Sequence, residues 1–298
     1  MMDRYLLRYF LAVIDQGNFS KAAAQCNVSQ PTLSAGIAKL EAMLGYKLFH
    51  RTNRRVELTV AGASLAHHAR RIEAEFLAAE RDIQGVSPVS TLRLGILTTI
   101  PGGWIEEYAL RLKSAAFDER VELVEGRERD LLERLMRGRI DAALTILRRN
   151  DARFRAEPLF TEGYSLAMSA SHPLAREEII DGACLADNPM IVRRHCELLS
   201  ETSRYFTARG VRPFFPARTT NDDQALRMVR AGLGVTVMPD SFHLQGVARP
   251  RLADFPYNRE IGLLFAPHAD ADTLLARPTL RFLIETMDGH WSLASDRS

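Results

Sequence analysis

Residues 10–62 read FLAVIDQGNFSKAAAQCNVSQPTLSAGIAKLEAMLGYKLFHRTNRRVELTVAG. At its start, Leu7, Phe10, Leu11 and Ile14 share one face of a helix that Gly17-Asn18 brings to an end. Ser20 then reads as the N-cap of a short second helix over Lys21–Cys26, because a hydroxyl can accept from the free N–H groups of a first turn. Asn27-Val28-Ser29 is a tight break. Ser29 caps a third helix, and Pro31 is tolerated in its first turn, where N–H groups lack helical partners anyway. Leu33, Ile37, Leu40 and Leu44 give this helix its apolar stripe, and Gly45 ends it. In Leu48–Leu58, Thr52-Asn53-Arg54 forms the middle, and Val56 and Leu58 alternate with Arg55 and Glu57. The segment reads as a hairpin, or wing, with a half-exposed strand.

Outward from this module, residues 59–84 read as one long helix capped by Thr59. Leu65, Ala69, Ile72, Phe76, Ala79 and Ile83 recur at alternating steps of four and three, the a/d seam of a coiled coil. Leu65, Ile72, Phe76 and Ile83 are therefore candidates for dimerisation; the other reading is a helix lying on its own domain. Gly85-Val86-Ser87-Pro88 breaks the helix and makes a hinge over 85–90. The pattern then changes. Leu92–Leu97, Val121–Val124 and Ala142–Leu147 read as strands, separated by a helix through Lys113 and another over Asp130–Met136. This βαβαβ order implies a parallel sheet with right-handed crossovers. A second such half follows, with strands at Tyr164–Met168, Met190–Val192 and Gly234–Met238 and helices at Leu198–Ala208 and Asp222–Ala231. Ile261–Phe265 and a helix over Thr273–Thr286 return to the first half.

The 298 residues suit two or three domains, and a 46% apolar content allows an ordinary core. Residues 1–84 hold 11 Lys and Arg against 8 Asp and Glu, so the positive balance sits at the N-terminus. Gly45–Arg55 carries Lys47, Arg51, Arg54 and Arg55 with no acid, the electrostatic footprint of a polyanion binder. Cys26, Cys184 and Cys196 make neither a disulfide framework nor a metal-ligand spacing. The apolar run Phe10–Ile14 is too short for a signal-peptide core, and no stretch approaches a membrane span. A cytoplasmic protein without membrane attachment, cofactor or metal is expected.

The matches that identify a family lie at fixed offsets: Phe19-Ser20 before Ala22-Ala23; Val28-Ser29-Gln30-Pro31-Thr32-Leu33-Ser34; Ile37; Leu40-Glu41; Leu44-Gly45; Leu48-Phe49; Arg51; and Leu58-Thr59 with Ala61-Gly62. Together they resemble the winged helix-turn-helix of LysR-type transcription regulators. The likeness continues through Leu94-Gly95, Gly138-Arg139-Ile140-Asp141-Ala142, His172-Pro173-Leu174 and Val229–Pro239. The resemblance implies a winged helix-turn-helix over 1–58, a linker helix over 59–84, and an α/β effector domain over 91–298. That domain would have the two-lobed fold of periplasmic binding proteins, with lobe I about 91–162 and 266–298 and lobe II about 163–265. It further implies a homodimer or homotetramer on double-stranded DNA, a small-molecule co-inducer in place of a cofactor, and contact with RNA polymerase if the protein activates.

A recognition helix presents short polar side chains to base edges near its N-terminus and bases to phosphates. Ser29, Gln30, Pro31, Thr32, Ser34 and Lys39 are the candidates on the third helix, with Arg51, Arg54 and Arg55 on the wing. Ligands of open α/β sheets bind beyond the C-terminal ends of strands. Thr98, Thr99, Ile100 and Thr145 stand there, and Arg194, His195 and Asn221 are the candidates from the second lobe. Strand-end hydroxyls and nearby arginines suggest an effector that is anionic. His195-Cys196 resembles a pair found in peroxide-sensing relatives, which makes thiol-based sensing through Cys196 the alternative, although Glu197-Leu198-Leu199 departs from that pattern. A solute-binding protein without a DNA role is the third reading, and the N-terminal module opposes it. The chain carries no dinucleotide or Walker loop, nucleophile elbow or HExxH helix, so an enzyme is not expected.

Overall fold

The computed structural model describes residues 3–51, 56–84, 90–115, 117–148 and 153–295. The chain divides into two compact units, one made of residues up to 89 with 133–141 and 266–270, the other of the remaining residues.

The first unit begins with α1 (Arg4–Gln16), which Asp3 caps by accepting from the Tyr5 N–H. Helix α2 (Phe19–Gln25) starts earlier than expected. Asn18, rather than Ser20, is its N-cap, because the Asn18 Oδ1 reaches the N–H groups of both Ser20 and Lys21. Helix α3 (Gln30–Leu44) is capped by Ser29, whose Oγ accepts from the Thr32 N–H at 3.2 Å. Gly45 ends it in the left-handed region at φ 75°, where a side chain would be strained. Strands β1 (Phe49–Arg51) and β2 (Val56–Leu58) pair antiparallel as the wing, and α4 (Val60–Gln84) follows, with Thr59 accepting from the Gly62 N–H. A Cβ on Gly62 would lie 2.1 Å from the Leu48 carbonyl oxygen, so only glycine lets α4 start this close to the wing.

Phe10, Val13, Leu33, Ile37, Leu40 and Leu48 form the centre of this unit. Leu44, expected in the buried stripe, is exposed; Glu41 takes the inward position instead. Leu65 and Ile72 pack against this same core beside the buried Ala66 and Ala69, so they serve their own domain. Phe76 is 45% exposed, with the Arg4 guanidinium 4.7 Å from its ring centroid. The side chain of Ile83 and most of the 85–90 hinge lie outside the described residues.

From residue 90 onward, β3 (Ser90–Leu97), α5 (Gly102–Ser114), β4 (Glu119–Gly126), α6 (Glu128–Met136) and β5 (Ala142–Ile146) form the expected βαβαβ, with β3 parallel to both β4 and β5. Strand β6 (Arg155–Glu162) leads to a second lobe. This holds β7 (Tyr164–Ser169), β8 (Ile179–Ile180), β9 (Ile191–Arg193), α7 (Leu199–Ala208), β10 (Ala217–Thr219), α8 (Asp222–Arg230), β11 (Thr236–Pro239), β12 (Val247–Ala248) and β13 (Arg251–Leu252). Then β14 (Arg259–Phe265) returns, followed by α9 (Ala271–Leu275) and α10 (Pro278–Ser295).

The first sheet runs β4-β3-β5-β14-β6, with β14 antiparallel to both of its neighbours. Residues 259–265 therefore belong to lobe I, as the expected return of Ile261–Phe265 to the first half has it, and the lobe II boundary at about 265 falls several residues too late. The helix expected over Thr273–Thr286 is two helices, with Pro278 opening the second. The second lobe is mixed rather than parallel: β7 is antiparallel to β11, β12 and β13, while β8 with β13 and β9 with β10 are parallel. Two strands, β6 and β14, thus carry the chain between the lobes, and Glu162 faces Arg259 across them.

Candidate nucleic-acid interface and effector cleft

Capping aims the front of α3 outward. Ser29 holds the first turn, and its Oγ also lies 2.7 Å from the Thr32 Oγ1. Gln30, Pro31, Thr32 and Lys39 are exposed, Ser34 is half-buried, and the Gln30 Nε2 donates to the Ser34 Oγ at 3.0 Å. The stripe Leu33, Ile37 and Leu40 is fully buried on the opposite face, so the polar end of α3 stays available for base edges. Glu41 ties α3 to the wing. Only 3% exposed, it accepts from the Leu48 N–H at 2.9 Å and from the Lys47 Nζ at 2.8 Å. Burial works to raise its pKa, but these hydrogen bonds outweigh burial and hold the carboxyl below its usual range. Arg54 and Arg55 lie outside the described residues, as does the side chain of Arg51.

In the second unit, the strand ends and the loop after β9 are joined by buried charge. Arg259, 2% exposed, directs Nε and Nη2 at the Glu162 Oε1 (2.8 and 2.7 Å). Its Nη1 donates to the Thr99 Oγ1 (2.9 Å) and the Glu197 Oε1 (2.6 Å), and its Nη2 donates to the Thr99 carbonyl (2.9 Å). The Tyr164 hydroxyl donates to the same Glu197 oxygen at 2.7 Å, and Ser241 donates its N–H and Oγ–H to Glu162. Thr99 belongs to lobe I and Glu197 to lobe II, so Arg259 clasps the two lobes at their crossing strands. Ile100 is buried beside this clasp in the chain.

Around it stand polar atoms without partners. The Thr98 and Thr145 Oγ1 atoms, on the neighbouring strand ends of β3 and β5, are buried and unbonded. So are the His195 Nδ1 and the Glu197 Oε2 on the loop after β9. Burial alone would raise the Glu197 pKa, but Arg259 and Arg193 outweigh it and keep the carboxyl ionised, below its usual range. Buried polar atoms without partners are uncommon, and a group of them at strand ends is what a small polar ligand would satisfy.

Two sequence candidates stand outside this set of hydrogen bonds. Asn221 caps α8, its Oδ1 accepting from the Gln224 N–H at 2.7 Å, and is committed to the fold. Arg194 is exposed, with its backbone N–H bonded to the Thr219 carbonyl. Arg193, not Arg194, is the buried cation: its Nε donates to the Asp222 Oδ1 at 2.8 Å and its Nη1 to the Val237 carbonyl at 2.9 Å. The same Nη1 lies 3.5 Å from the Cys196 Sγ. Burial nevertheless pushes that thiol above its usual pKa, against the pull of Arg193 and with Glu197 adding to the rise. Sequence reasoning missed Arg259, Glu162, Glu197 and Tyr164. Arg259 and Glu162 are nearly 100 residues apart, and only the antiparallel β6–β14 register makes them partners.

Among the described residues, no group of three or more His, Cys, Asp and Glu is placed to hold a metal, and no helix is long and apolar enough to cross a membrane.

A winged helix-turn-helix reader joined to a two-lobed α/β domain defines a class of ligand-responsive DNA-binding proteins. Residues 5–63 match the family of bacterial regulatory helix-turn-helix proteins of the lysR type, and residues 86–288 match the LysR substrate binding domain. The chain belongs to the LysR family of transcription regulators, which is not a family of enzymes. It is 32% identical to a hydrogen peroxide-inducible genes activator of Haemophilus influenzae over 88% of this chain and 89% of the relative. It is 34% identical to a probable activator of the same kind from Mycobacterium avium, over 89% and 88%. Its fold is that of a full-length OxyR from Pseudomonas aeruginosa (TM-score 0.55, 24% identity, 97% and 98% covered) and of full-length BenM (TM-score 0.53, 24% identity, 98% of each).

Proposed function

We propose that this DNA-binding regulator is switched by a small polar molecule held between the lobes, against Thr98 and Thr145 on one side and the His195–Glu197 loop on the other. The observation that carries this reading is that Thr98 and Thr145 of lobe I and His195 and Glu197 of lobe II each hold a buried polar atom without a partner, while Arg259 ties Thr99 to Glu197. A ligand that satisfies them would change the free-energy balance between lobe arrangements, and DNA geometry would follow. The protein is proposed to act in the cytoplasm as a homodimer or homotetramer, meeting RNA polymerase where it activates. To test the cleft, a metabolite pool is passed over immobilised full-length protein and retained compounds are assayed for an effect on operator affinity. The reading expects Thr145→Val to abolish retention while leaving DNA binding intact; retention that is indifferent to Thr145→Val would remove the cleft from the proposal.

A second reading is peroxide sensing through Cys196. It is favoured by the His195-Cys196 pair and by relatives described as hydrogen peroxide-inducible activators. The raised thiol pKa opposes it, since the thiolate is the nucleophile. Cys184, the other cysteine of this unit, is exposed in a 3₁₀ turn, Gly182–Leu185. Cys196→Ser separates the readings: a response to peroxide that survives the substitution excludes the thiol, and one that vanishes with it establishes the second reading.

A further inference from the structure

We infer that Glu197 sets the specificity of this cleft: it is a fixed hydrogen-bond acceptor that admits a ligand carrying a hydroxyl, amide or ammonium donor and turns away carboxylates. The inference rests on the cleft reading proposed above and narrows its ligand class.

Glu197 is 7% exposed on its side chain, and only one of its oxygens is engaged. Oε1 takes both the Arg259 Nη1 and the Tyr164 hydroxyl, while Oε2 has no partner. An ionised carboxylate only accepts, so whatever satisfies Oε2 must bring a hydrogen. The two buried guanidiniums that act on Glu197 are already committed, and the half-exposed Arg148 is paired with Glu128. Arg259 spends Nε and both Nη atoms on Glu162, Thr99 and Glu197, and Arg193 is bound to Asp222 and the Val237 carbonyl. The clasp of Arg259 with Glu162 and Glu197 therefore holds one more carboxylate than guanidinium. The remaining unbonded groups, the hydroxyls of Thr98 and Thr145 and the His195 Nδ1, can each donate or accept and place no demand on the sign of the ligand. A ligand carboxylate would bring a second unpaired negative charge beside Glu197, at a desolvated position where such a charge is costly. Hydroxyl-rich strand ends suggest an anion from the sequence; the unpartnered carboxylate oxygen argues for the opposite sign.

The test uses isosteric pairs that differ only in this property: acetamide and acetate, malonamide and malonate, benzamide and benzoate. Dissociation constants are measured by ligand-observed NMR on the full-length protein, with Thr145→Val as the control for location. Wild type is expected to bind the amide of at least one pair about tenfold or more tightly than its acid, the effect of one well-placed hydrogen bond at a buried site. In Glu197→Gln, Oε1 still accepts from Arg259 and Tyr164, while Nε2 donates; the amide-to-acid ratio is expected to fall at least as far. A wild-type protein that binds an acid as well as its amide at the Thr145-dependent site overturns the inference while leaving the cleft reading standing. This wild-type ratio decides the matter even if the variant fails to fold. Failure of every probe to bind either protein counts against the cleft itself, and the inference falls with it.

Discussion

At the scale of single residues, Arg259 holds the most consequential position. It is buried between two carboxylates and a backbone carbonyl, so deleting it strands Glu162 and Glu197 without their cation. Removing one partner of such a buried pair costs about 3–5 kcal/mol. Arg259→Ala is therefore expected to lower the unfolding free energy of the second unit by an amount of that order, seen as a lower urea midpoint, with the first unit unchanged; equal midpoints would mean that the clasp is not stabilising. Cys196 gives a prediction of opposite character. With its thiol pKa raised by burial, alkylation by iodoacetamide at pH 7 is expected to be slower than for the exposed Cys184, as mass spectrometry of the two tryptic peptides would show. Faster labelling of Cys196 would return weight to the peroxide reading. The residues of this site were only half legible in the sequence. Thr98 and Thr99 could be found because they follow an apolar strand run, and Thr145 because it stands near the end of another. Arg259, Glu162 and Glu197 carry no local signal, since their meaning comes from a strand register and a loop that sequence spacing does not encode.

At the scale of elements, the recognition helix and the wing are coupled through Glu41. Its folded-state pKa lies below that of the unfolded chain, so its contribution to stability is fully present above the unfolded value of about 4.3 and is lost as pH falls through the folded value. Glu41→Gln is expected to destabilise the first unit by about 1–3 kcal/mol at pH 7, the worth of hydrogen bonds to a buried charged acceptor. The difference from wild type should stay constant above about pH 5 and shrink below pH 4. A difference that grows on acidification would contradict the sign. The elements themselves were readable where periodicity was strong: α1, α3, the wing and the βαβαβ of lobe I follow the sequence pattern closely. Short strands such as β8, β10, β12 and β13, two or three residues each, have too little length to show a period. The cap of α2 was misplaced because Asn18 and Ser20 are both good caps, and only the backbone of Asn18 stands outside the helix.

At the scale of the whole molecule, α4 is asked to do two things. Leu65 and Ile72 pack on their own domain, which leaves the second half of the heptad seam, with exposed Phe76, as the surface available to a second copy. Phe76→Glu is expected to raise the dimer dissociation constant at least about tenfold in sedimentation equilibrium, one buried aromatic side chain being worth more than 1.4 kcal/mol; an unchanged constant would move the interface elsewhere. The heptad spacing was visible in the sequence, but which half would be spent inside the domain was not, because both uses draw on the same apolar positions. The central claim is that α3 reads DNA sequence with its exposed N-terminal turn. Its most direct test is a mobility shift of the full-length protein on its own upstream DNA, at two salt concentrations with excess competitor, run beside Gln30→Ala and Arg54→Ala. A discrete complex that survives competition is expected, with Gln30→Ala changing sequence preference and Arg54→Ala weakening binding to every sequence and flattening the salt slope by about one unit. Wild-type affinity and selectivity in both variants would contradict the assignment of the DNA-reading surface.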